Sequence, residues 1–280
     1  MTTTFPQVSL ANTEARTLQS SINEQEYQIS VALPPMYADH PEKKYPVIYL
    51  TDANGFFGMV TQILRHINLP VPFCHHLPDA IIVGIGYPDR GPQAVTPAQR
   101  GNLRMRDLLP VADEAAEKAT QDTFHISNPV ATGKADQFLH FIRDELMPFI
   151  DSEYRIDTTN RTLIGDSNGG VFALYALFHQ PELFQRYIVV SPVIAYANGV
   201  TLDYERTYAE HHDNLKARVY LAYGEPELKG DWLSYLNRFV DTLEGRMYPD
   251  FTLIQQTFAN CDHCEVAAPA FQAGLVAVYS

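Results

Sequence analysis

A serine flanked by glycines has the residue spacing of a catalytic nucleophile. Residues 165–170 read Gly-Asp-Ser-Asn-Gly-Gly; they directly follow Arg161–Ile164 and precede the apolar stretch Val171–Phe178. A G-x-S-x-G sequence between a strand and a helix holds the serine on a tight, strained turn, so that its hydroxyl projects above the edge of the sheet. Side chains at Gly165 and Gly169 would collide with the neighbouring strand and helix. The pattern predicts that Ser167 is a nucleophile; a glycine-rich turn without a nucleophile is the alternative.

A serine nucleophile needs a general base, and four histidines follow Ser167 in the chain. In α/β-hydrolases the chain order is serine, acid and then histidine. His179 belongs to the predicted helix behind the serine turn, while His211 and His212 lie in a polar segment that looks solvated. His263 follows the last predicted strand and precedes the C-terminal helix, where a loop can bring an imidazole over the serine. We therefore predict that His263 is the base; an ordinary surface histidine is the alternative.

The loop after the predicted strand Val219–Tyr223 offers three carboxylates for the acid of such a triad. The acid must reach Nδ1 of the histidine, because it fixes the tautomer and stabilises the imidazolium that forms. Glu225 adjoins the strand, and Asp231 lies near the start of the next helix. Glu227 is therefore the preferred acid and Glu225 the second choice. A site in which no carboxylate completes the triad stays open.

Two backbone N–H groups are needed to stabilise the oxyanion, one of them from the residue after the nucleophile. That residue is Asn168. The other N–H is expected in the loop after Val47–Thr51, where Asn54 is the first choice and Ala53 the second. Asp52 or Asn54 could also cap the helix that follows, and the two roles can coexist.

The segments that must position these residues alternate between strands and helices, which predicts a mostly parallel central sheet with helices on both faces. Glu26–Leu33 alternates apolar and polar residues, as a half-exposed antiparallel strand does. The other predicted strands are Val47–Thr51, Ala80–Ile85, Tyr187–Val190, Val219–Tyr223 and Phe251–Gln256. A helix is predicted within Lys134–Ile150, with Pro148 kinking it or starting a new turn, and a closing helix over Ala267–Val278. Because no repeat or linker interrupts this order, residues 1–280 are predicted to form one α/β-hydrolase domain.

Residues 87–132 are the long exception to this alternation. The segment contains prolines and glycines and has little clear periodicity. Loops of this length inside a compact domain are usually functional lids or disordered insertions. It leaves a core strand near the carboxyl edge of the sheet, where α/β proteins bind ligands. We predict an inserted, lid-like loop that covers the site; a loop without a functional role is the alternative.

Composition and charge exclude several classes of protein. The chain has 280 residues, 46% of them hydrophobic, and a net charge of −13, which argues against nucleic acid and anionic membrane surfaces as partners. Three cysteines cannot form a disulfide framework, which favours a reducing compartment. The start Met1–Pro6 lacks the basic and apolar regions of a secretory signal, and no apolar stretch approaches the roughly 20 residues that span a bilayer. These features predict a cytoplasmic protein with no nucleic-acid or membrane partner.

Two cysteines near the predicted base have the spacing of half a zinc site. Cys261 and Cys264 form a C-x-x-C pair, and Cys74 is the third thiol of the chain. His263, between them, is already assigned to catalysis. We therefore predict no metal site and expect the pair to pack beside the loop of the base, with an oxidisable pair as the alternative.

Two arginines in the long segment could bind an anionic substrate group. Arg104 and Arg106 lie beside Asp107, and a guanidinium matches a carboxylate in bidentate fashion. The preferred interpretation is structural, with an arginine–aspartate pair that holds the long segment in place.

With these motifs, the chain resembles the putative-esterase family of α/β-hydrolases, which contains enterochelin esterases, esterase D-like enzymes and mycolyltransferases. The resemblance covers nearly the whole chain and rests on Asn12–Leu18, Tyr45–Asp52, Val83–Tyr87, Arg106–Pro110, Asp144–Ile150, Gly165–Gly170, Ser191-Pro192 and Asp262-His263. In that family the second oxyanion donor follows an Asp-Gly pair, here Asp52-Ala53, which implies Asn54. The acid commonly lies three residues past the glycine that ends its strand, which implies Glu227, although some siderophore esterases work with serine and histidine alone.

The chain departs from that family at three places that line the pocket. Asn168 replaces a usual apolar residue and Ala53 replaces a glycine. Val193–Ala195 follows Ser191-Pro192, where siderophore-type members tend to carry tryptophans. These changes affect which ester the pocket would bind. They do not affect the hydrolytic chemistry that the resemblance implies.

The sequence therefore predicts a serine esterase that cleaves a carboxylic ester or lactone through an acyl-enzyme intermediate. Ser167 is the nucleophile, His263 the base and Glu227 the acid that orients it. This chemistry needs no cofactor and no metal, and the expected partner is a small-molecule ester. An acyltransferase or thioesterase on the same fold, and an inactive binding protein, are the alternatives. The acyl group, the alcohol and the oligomeric state are left open.

Overall fold

An eight-stranded sheet forms the centre of the protein. The structure is a computed structural model and describes residues 9–72, 76–124 and 129–280. In chain order the strands are β1 (Thr13–Gln19), β2 (Glu26–Ala32), β3 (Tyr45–Leu50), β4 (Ile81–Gly86), β5 (Ile156–Asp166), β6 (Arg186–Val190), β7 (Ala217–Gly224) and β8 (Phe251–Phe258). Their spatial order is β1-β2-β4-β3-β5-β6-β7-β8; β1–β2 and β2–β4 are antiparallel pairs and the others are parallel. The predicted mostly parallel sheet is confirmed.

The burial of the strands follows their sequence patterns. β2 alternates between half-buried and buried residues, whereas β3 and β4 are buried throughout. The parallel register pairs Leu50 with Ile164 and Asp166 with Val190, and Val190 in turn with Ala222. Because these pairs lie near the carboxyl ends of β3, β5, β6 and β7, the loops that follow the four strands emerge at one edge of the sheet.

Helices cover both faces of the sheet. They are α1 (Ala53–Ile67), α2 (Pro97–Leu108), α3 (Glu114–Phe124), α4 (Ala135–Phe141), α5 (Met147–Glu153), α6 (Asn168–His179), α7 (Tyr196–Ala209), α8 (Gly230–Arg246) and α9 (Ala267–Tyr279). α1 and α9 contribute to one apolar core on their face, and residues of α4, α5, α6 and α8 contribute to the larger core on the other face. The predicted single domain of residues 1–280 stays a prediction, although all eight strands belong to one sheet.

The predicted break at Pro148 is present as a change of helix type. α4 and α5 are joined by a π-helical turn over Ile142–Leu146, and Pro148 lies in the first turn of α5. Proline has no N–H and its ring clashes with the carbonyl four residues earlier, which disrupts the regular α-helical bonding before it.

Residues 87–132, predicted to form an inserted lid-like loop, contain the helices α2 and α3; the role of the segment as a lid stays a prediction. A local signal for α2 was present in the sequence. Thr96 and Gln99 form a capping box and Pro97 occupies the first turn, a combination that favours a helix start. The apolar periodicity is weak because α2 has only Asp107 and Leu108 fully buried.

Some predictions concern residues outside the described ranges. They concern Met1–Pro6, Cys74 and residues 125–128 of the long segment. Among the helices that the structure describes, none has the length and apolar character of a membrane-spanning segment.

Candidate active site

Ser167 lies on a strained turn between β5 and α6. Its backbone angles are φ 58° and ψ −117°, and its N–H donates a hydrogen bond to the Val190 carbonyl at 2.9 Å. A Cβ atom at position 165 would lie 2.0 Å from the Gly169 carbonyl oxygen, and one at position 169 would lie 2.5 Å from Thr51 Oγ1. The turn therefore excludes side chains at both glycines, for the steric reason expected from the sequence.

His263 brings its imidazole to the serine hydroxyl. Its Nε2 lies 3.0 Å from Ser167 Oγ, and its Nδ1 lies 2.5 Å from Glu227 Oε1. The segment that carries it joins β8 to α9, and Asp262 Oδ1 fixes the turn by accepting from the N–H groups of Cys264 and Glu265 at 2.8 and 3.0 Å. His179, by contrast, is stacked on Tyr175 behind the turn.

Glu227 is the one of the three predicted carboxylates whose oxygen meets His263. It ends a 3₁₀ turn, Glu225–Glu227, directly after β7. Its second oxygen, Oε2, accepts hydrogen bonds from Ser191 Oγ at 2.6 Å and from Gly224 N–H at 2.8 Å. Glu225 is exposed, and Asp231 is exposed in the first turn of α8.

The contacts of this pair shift the pKa values of both groups. Burial alone would raise the pKa of Glu227, but the hydrogen bonds from His263, Ser191 and Gly224 outweigh burial and hold it below its ordinary value. The hydrogen bond to Glu227 raises the pKa of His263, against its partial desolvation, and the negative charges of Glu227 and Asp166 add to the effect. The carboxylate therefore stays ionised and favours a proton on the imidazole.

Ser191 is a site residue that the motif analysis did not assign. It follows β6, is fully buried, has a positive φ of 41°, and donates its hydroxyl to Glu227. A backbone strained in this way persists only where its surroundings hold it. The sequence did contain a signal, since Ser191-Pro192 stands at the carboxyl end of a predicted strand, at the same edge as Ser167.

The two predicted oxyanion donors lie at helix starts. Asn168 is the first residue of α6 and Asn54 the second of α1, positions whose N–H groups have no partner within their own helices. The side chain of Asn54 is occupied elsewhere, because it donates to the Tyr87 carbonyl and accepts from the Tyr87 N–H, both at 2.8 Å. The alternative second donor, Ala53, is buried at the first position of α1.

The alternative role of Asp52 or Asn54 as a helix cap is not supported by the contacts at the start of α1. Asp52 is the residue before α1, but its φ is 54° and its side chain makes no capping hydrogen bond. Its carboxylate instead forms a bidentate ion pair with Arg104 of α2, with distances of 2.8 and 2.7 Å. The pair ties α2 to the loop that carries the oxyanion candidate.

The second arginine of the long segment also has a structural role. Arg106 binds Asp107 through two hydrogen bonds of 2.7 and 3.0 Å, and Asp107 is fully buried. The hydroxyls of Tyr27 and Tyr87 donate to the same carboxylate at 2.8 and 2.9 Å. The structural interpretation of Arg106 and Asp107 therefore agrees with the geometry.

Of the two cysteines beside the base, one packs against the core and the other does not. Cys261 contacts the apolar core under α9, while Cys264 is exposed. In residues 9–72, 76–124 and 129–280, no group of three or more histidine, cysteine, aspartate or glutamate side chains has the arrangement of a metal site.

The sheet, the serine turn and the order of β5, β7 and β8 along the chain define the α/β-hydrolase class. The family described as "Putative esterase" matches residues 20–243. The chain belongs to this family.

Curated relatives and solved structures agree with that membership. The chain is 34% identical to the ferri-bacillibactin esterase BesA of Bacillus subtilis over 187 residues, 66% of this chain and 60% of that protein. It is 31% identical to the siderophore enterobactin esterase of Emericella nidulans over 190 residues, 65% of this chain and 58% of that protein. These matches thus span about 60% of the relatives' own length.

Two solved structures match almost from end to end. The BES protein of Bacillus cereus superposes with a TM-score of 0.83 at 28% identity, covering 100% of this chain and 99% of its own. The siderophore hydrolase EstB of Aspergillus nidulans superposes with a TM-score of 0.76 at 26% identity, covering 98% of this chain and 97% of its own.

Proposed function

We propose that this protein is a serine hydrolase that cleaves carboxylic esters, including lactones, through an acyl-enzyme intermediate. The observation that carries the proposal is the continuous hydrogen-bond chain from Ser167 Oγ through His263 to Glu227, with distances of 3.0 and 2.5 Å. Nucleophile, base and orienting acid within hydrogen-bond reach are the arrangement that activates a serine. Membership of an esterase family supports the same chemistry.

The first half-reaction forms the acyl-enzyme. Ser167 Oγ attacks the ester carbonyl carbon while His263 Nε2 takes the hydroxyl proton, and Glu227 stabilises the imidazolium. The negative charge on the former carbonyl oxygen is received by the N–H groups of Asn168 and Asn54. The intermediate then collapses, the bond to the leaving alcohol breaks, and His263 returns the proton to that alcohol oxygen.

The second half-reaction releases the acid. A water molecule gives a proton to His263 Nε2 and its oxygen attacks the acyl carbon. The bond to Ser167 Oγ breaks, and the proton returns to the serine. Every step uses residues of this chain, and the proton moves only between Nε2 and the reacting oxygens.

We further propose that the natural substrates are esters of iron-binding siderophores. The names of the relatives specify ferri-bacillibactin, enterobactin and triacetylfusarinine C. The side chain of His263 is 45% exposed and Ser167 is half-buried, so a substrate can reach both residues from solvent.

The test combines trapping with turnover. The wild-type protein and Ser167→Ala are incubated with enterobactin, triacetylfusarinine C and para-nitrophenyl acetate, and products and intact protein are analysed by mass spectrometry. We expect hydrolysis of all three by the wild type and an acyl mass on the Ser167 peptide after acid quench. Turnover of the acetate without siderophore cleavage would refute the substrate, and no adduct with no turnover would refute the hydrolase. Transfer to added alcohols in excess of hydrolysis would favour an acyltransferase.

A further inference from the structure

Asp166, the residue before the proposed nucleophile, has a buried oxygen without a partner. The residue is only 7% exposed, and its Oδ1 has no hydrogen-bond partner in the described part of the chain. Buried polar atoms are nearly always paired, so an unpaired one needs an explanation. None of the steps proposed above uses this carboxyl group.

The unpaired carboxyl lies on the wall of a cleft. The cleft has a volume of about 310 Å³ and lies between the start of α1 and the helix α2. Its polar and aromatic wall residues are Asp52, Asn54, Phe56, Arg100, Arg104 and Asp166. Because Asp166 adjoins Ser167, and because Asn54 is an oxyanion candidate, the cleft borders the proposed reaction centre.

Most polar groups of this wall are already satisfied. Asp52 and Arg104 bind each other through two hydrogen bonds, and both polar groups of the Asn54 side chain bind Tyr87. The Arg100 guanidinium makes no hydrogen bond or ion pair with the residues that the structure describes. An acceptor on Asp166 and a donor on Arg100 are therefore left for a ligand.

We propose that this cleft is a substrate subsite for an amide-bearing arm of the ester, whose N–H donates to Asp166 and whose carbonyl accepts from Arg100. The proposal rests on the hydrolase function proposed above. A cationic arm would meet Arg100 and Arg104, and an anionic arm would meet Asp52 and Asp166. An apolar arm would cover the Asp166 carboxyl group without giving it a hydrogen-bond partner. A neutral group with one donor and one acceptor avoids all three penalties.

The charge state of Asp166 sets the conditions of the test. Burial, together with the negative charges of Asp52 and Glu227, raises the pKa of Asp166 to about 7, although His263 and Arg104 oppose the shift. On the alkaline side of that pKa the group is a carboxylate, which accepts the hydrogen bond. The amide esters and their analogues are therefore compared at alkaline pH.

The test uses pairs of esters that differ only in N–H against CH₂. On the acyl side these are para-nitrophenyl N-acetylglycinate and para-nitrophenyl levulinate. On the alcohol side they are the acetates of N-acetylethanolamine and of its ketone isostere. Each kcat/KM is divided by the rate constant of hydroxide hydrolysis, so that intrinsic reactivity cancels. We expect the wild type to prefer the amide ester by about ten-fold or more in one of the pairs, because a site that binds an N–H rejects the analogue without it.

Variants assign the preference to the carboxyl group. Asp166→Ala should bring the ratio near one, and Asp166→Asn should keep part of it because the amide oxygen still accepts. Glu225→Gln, an exposed carboxylate in the turn after β7, should keep all of it. No preference in either pair, or a preference unchanged in Asp166→Ala, would overturn the subsite. Turnover of para-nitrophenyl acetate that Ser167→Ala abolishes would meanwhile uphold the hydrolase, so the two proposals fail separately.

Binding to the Ser167→Ala protein gives a readout that needs neither turnover nor a folded Asp166→Ala variant. Chemical-shift titrations compare ethyl N-acetylglycinate with ethyl levulinate at alkaline pH. Tighter binding of the amide by about ten-fold supports the subsite, and equal binding refutes it.

Discussion

Two carboxyl groups near His263 differ in how their oxygens are satisfied. Glu227 Oε1 meets His263, and its Oε2 accepts from Ser191 and Gly224. Asp166 is more completely buried, and its Oδ1 has no partner in the described part of the chain. The pKa of Glu227 is lowered whereas burial raises the pKa of Asp166 to about 7. Three hydrogen-bond donors hold the partly buried Glu227 ionised, whereas the more deeply buried Asp166, with an unpaired oxygen, is shifted toward its neutral form.

The two carboxyl groups also lie in different regions of the molecule. Glu227 stands among loops that follow β6, β7 and β8, where each contact supports the His263 imidazole. Asp166 faces the cleft beside α2, where the Asp52–Arg104 pair holds the wall in place. We expect changes in the first region to lower the rate with every ester, and changes in the second to alter the choice among esters.

The largest loss of activity is expected when the proposed nucleophile, which lies next to both regions, is replaced. Ser167→Ala should lower kcat by about 10⁴- to 10⁶-fold for every ester and leave a residual rate from the oxyanion donors and binding. Alanine fits the turn as serine does, so the melting temperature should hardly change. Initial rates with para-nitrophenyl acetate and thermal unfolding are the measurements. Near-normal turnover in the purified variant would refute the nucleophile.

The next effect separates Glu227 from its exposed neighbour. Glu227→Gln should lower kcat by roughly 10²- to 10⁴-fold, because the amide no longer stabilises the imidazolium or fixes the tautomer. Glu225→Gln is the matched control and should have little effect, since its side chain is exposed. The reverse result would transfer the role to Glu225. Little effect from either would favour a Ser–His dyad or Asp231.

The pH dependence of activity tests the contact between Glu227 and His263, because this contact shifts the pKa of the base. A general base must be neutral, and Glu227 raises the pKa of His263 above the ordinary value of about 6.5. We therefore expect kcat/KM to fall on the acid side with an inflection above about pH 6.5. Glu227→Gln removes the negative charge, so its residual activity should inflect at a lower pH. An inflection that does not move would contradict the coupling.

A smaller effect is expected at Ser191, one of the donors that distinguish Glu227 from Asp166. Ser191→Ala removes one hydrogen bond to the carboxylate and should lower kcat about ten-fold, with KM nearly unchanged. Ser191→Gly removes the same hydrogen bond, but glycine adopts the positive φ of 41° more readily than alanine does. Equal kcat values with a higher melting temperature in the glycine variant would indicate positioning. A rate loss that follows stability would indicate a folding role instead.

The smallest effect is expected where α2 approaches the serine turn. The Met105 sulfur lies 2.9 Å from Asn168 Nδ2, so α2 borders the site as the predicted lid would. Met105→Ala should slow a bulky acyl ester by a few-fold and hardly change the acetate, because the lost contact positions only large groups. The exposed Met36→Ala is the control. An equal loss for both esters would mean that α2 supports folding and does not select substrate.

The local features of this protein follow from short sequence patterns. The glycines around Ser167 specify a turn that tolerates no side chain, and the apolar runs of β3 and β4 specify strands buried on both faces. Chain order reduced the candidate bases to the four histidines after the serine, and the predicted elements around them favoured His263. These features depend on residues close together in the sequence or on the fold class, so they can be predicted from the sequence.

Which side chains contact one another depends on how distant segments pack. Glu225 and Glu227 stand two residues apart, and the choice between them follows from Ser191 and His263, which come from other strands and loops. Arg104 lies three residues from Asp107, yet it binds Asp52, fifty-two residues earlier. Likewise, among residues 9–72, 76–124 and 129–280, no distant segment brings a hydrogen-bond donor to Asp166 Oδ1. Hydrogen-bond partners are set by packing between distant segments, and no local pattern records them.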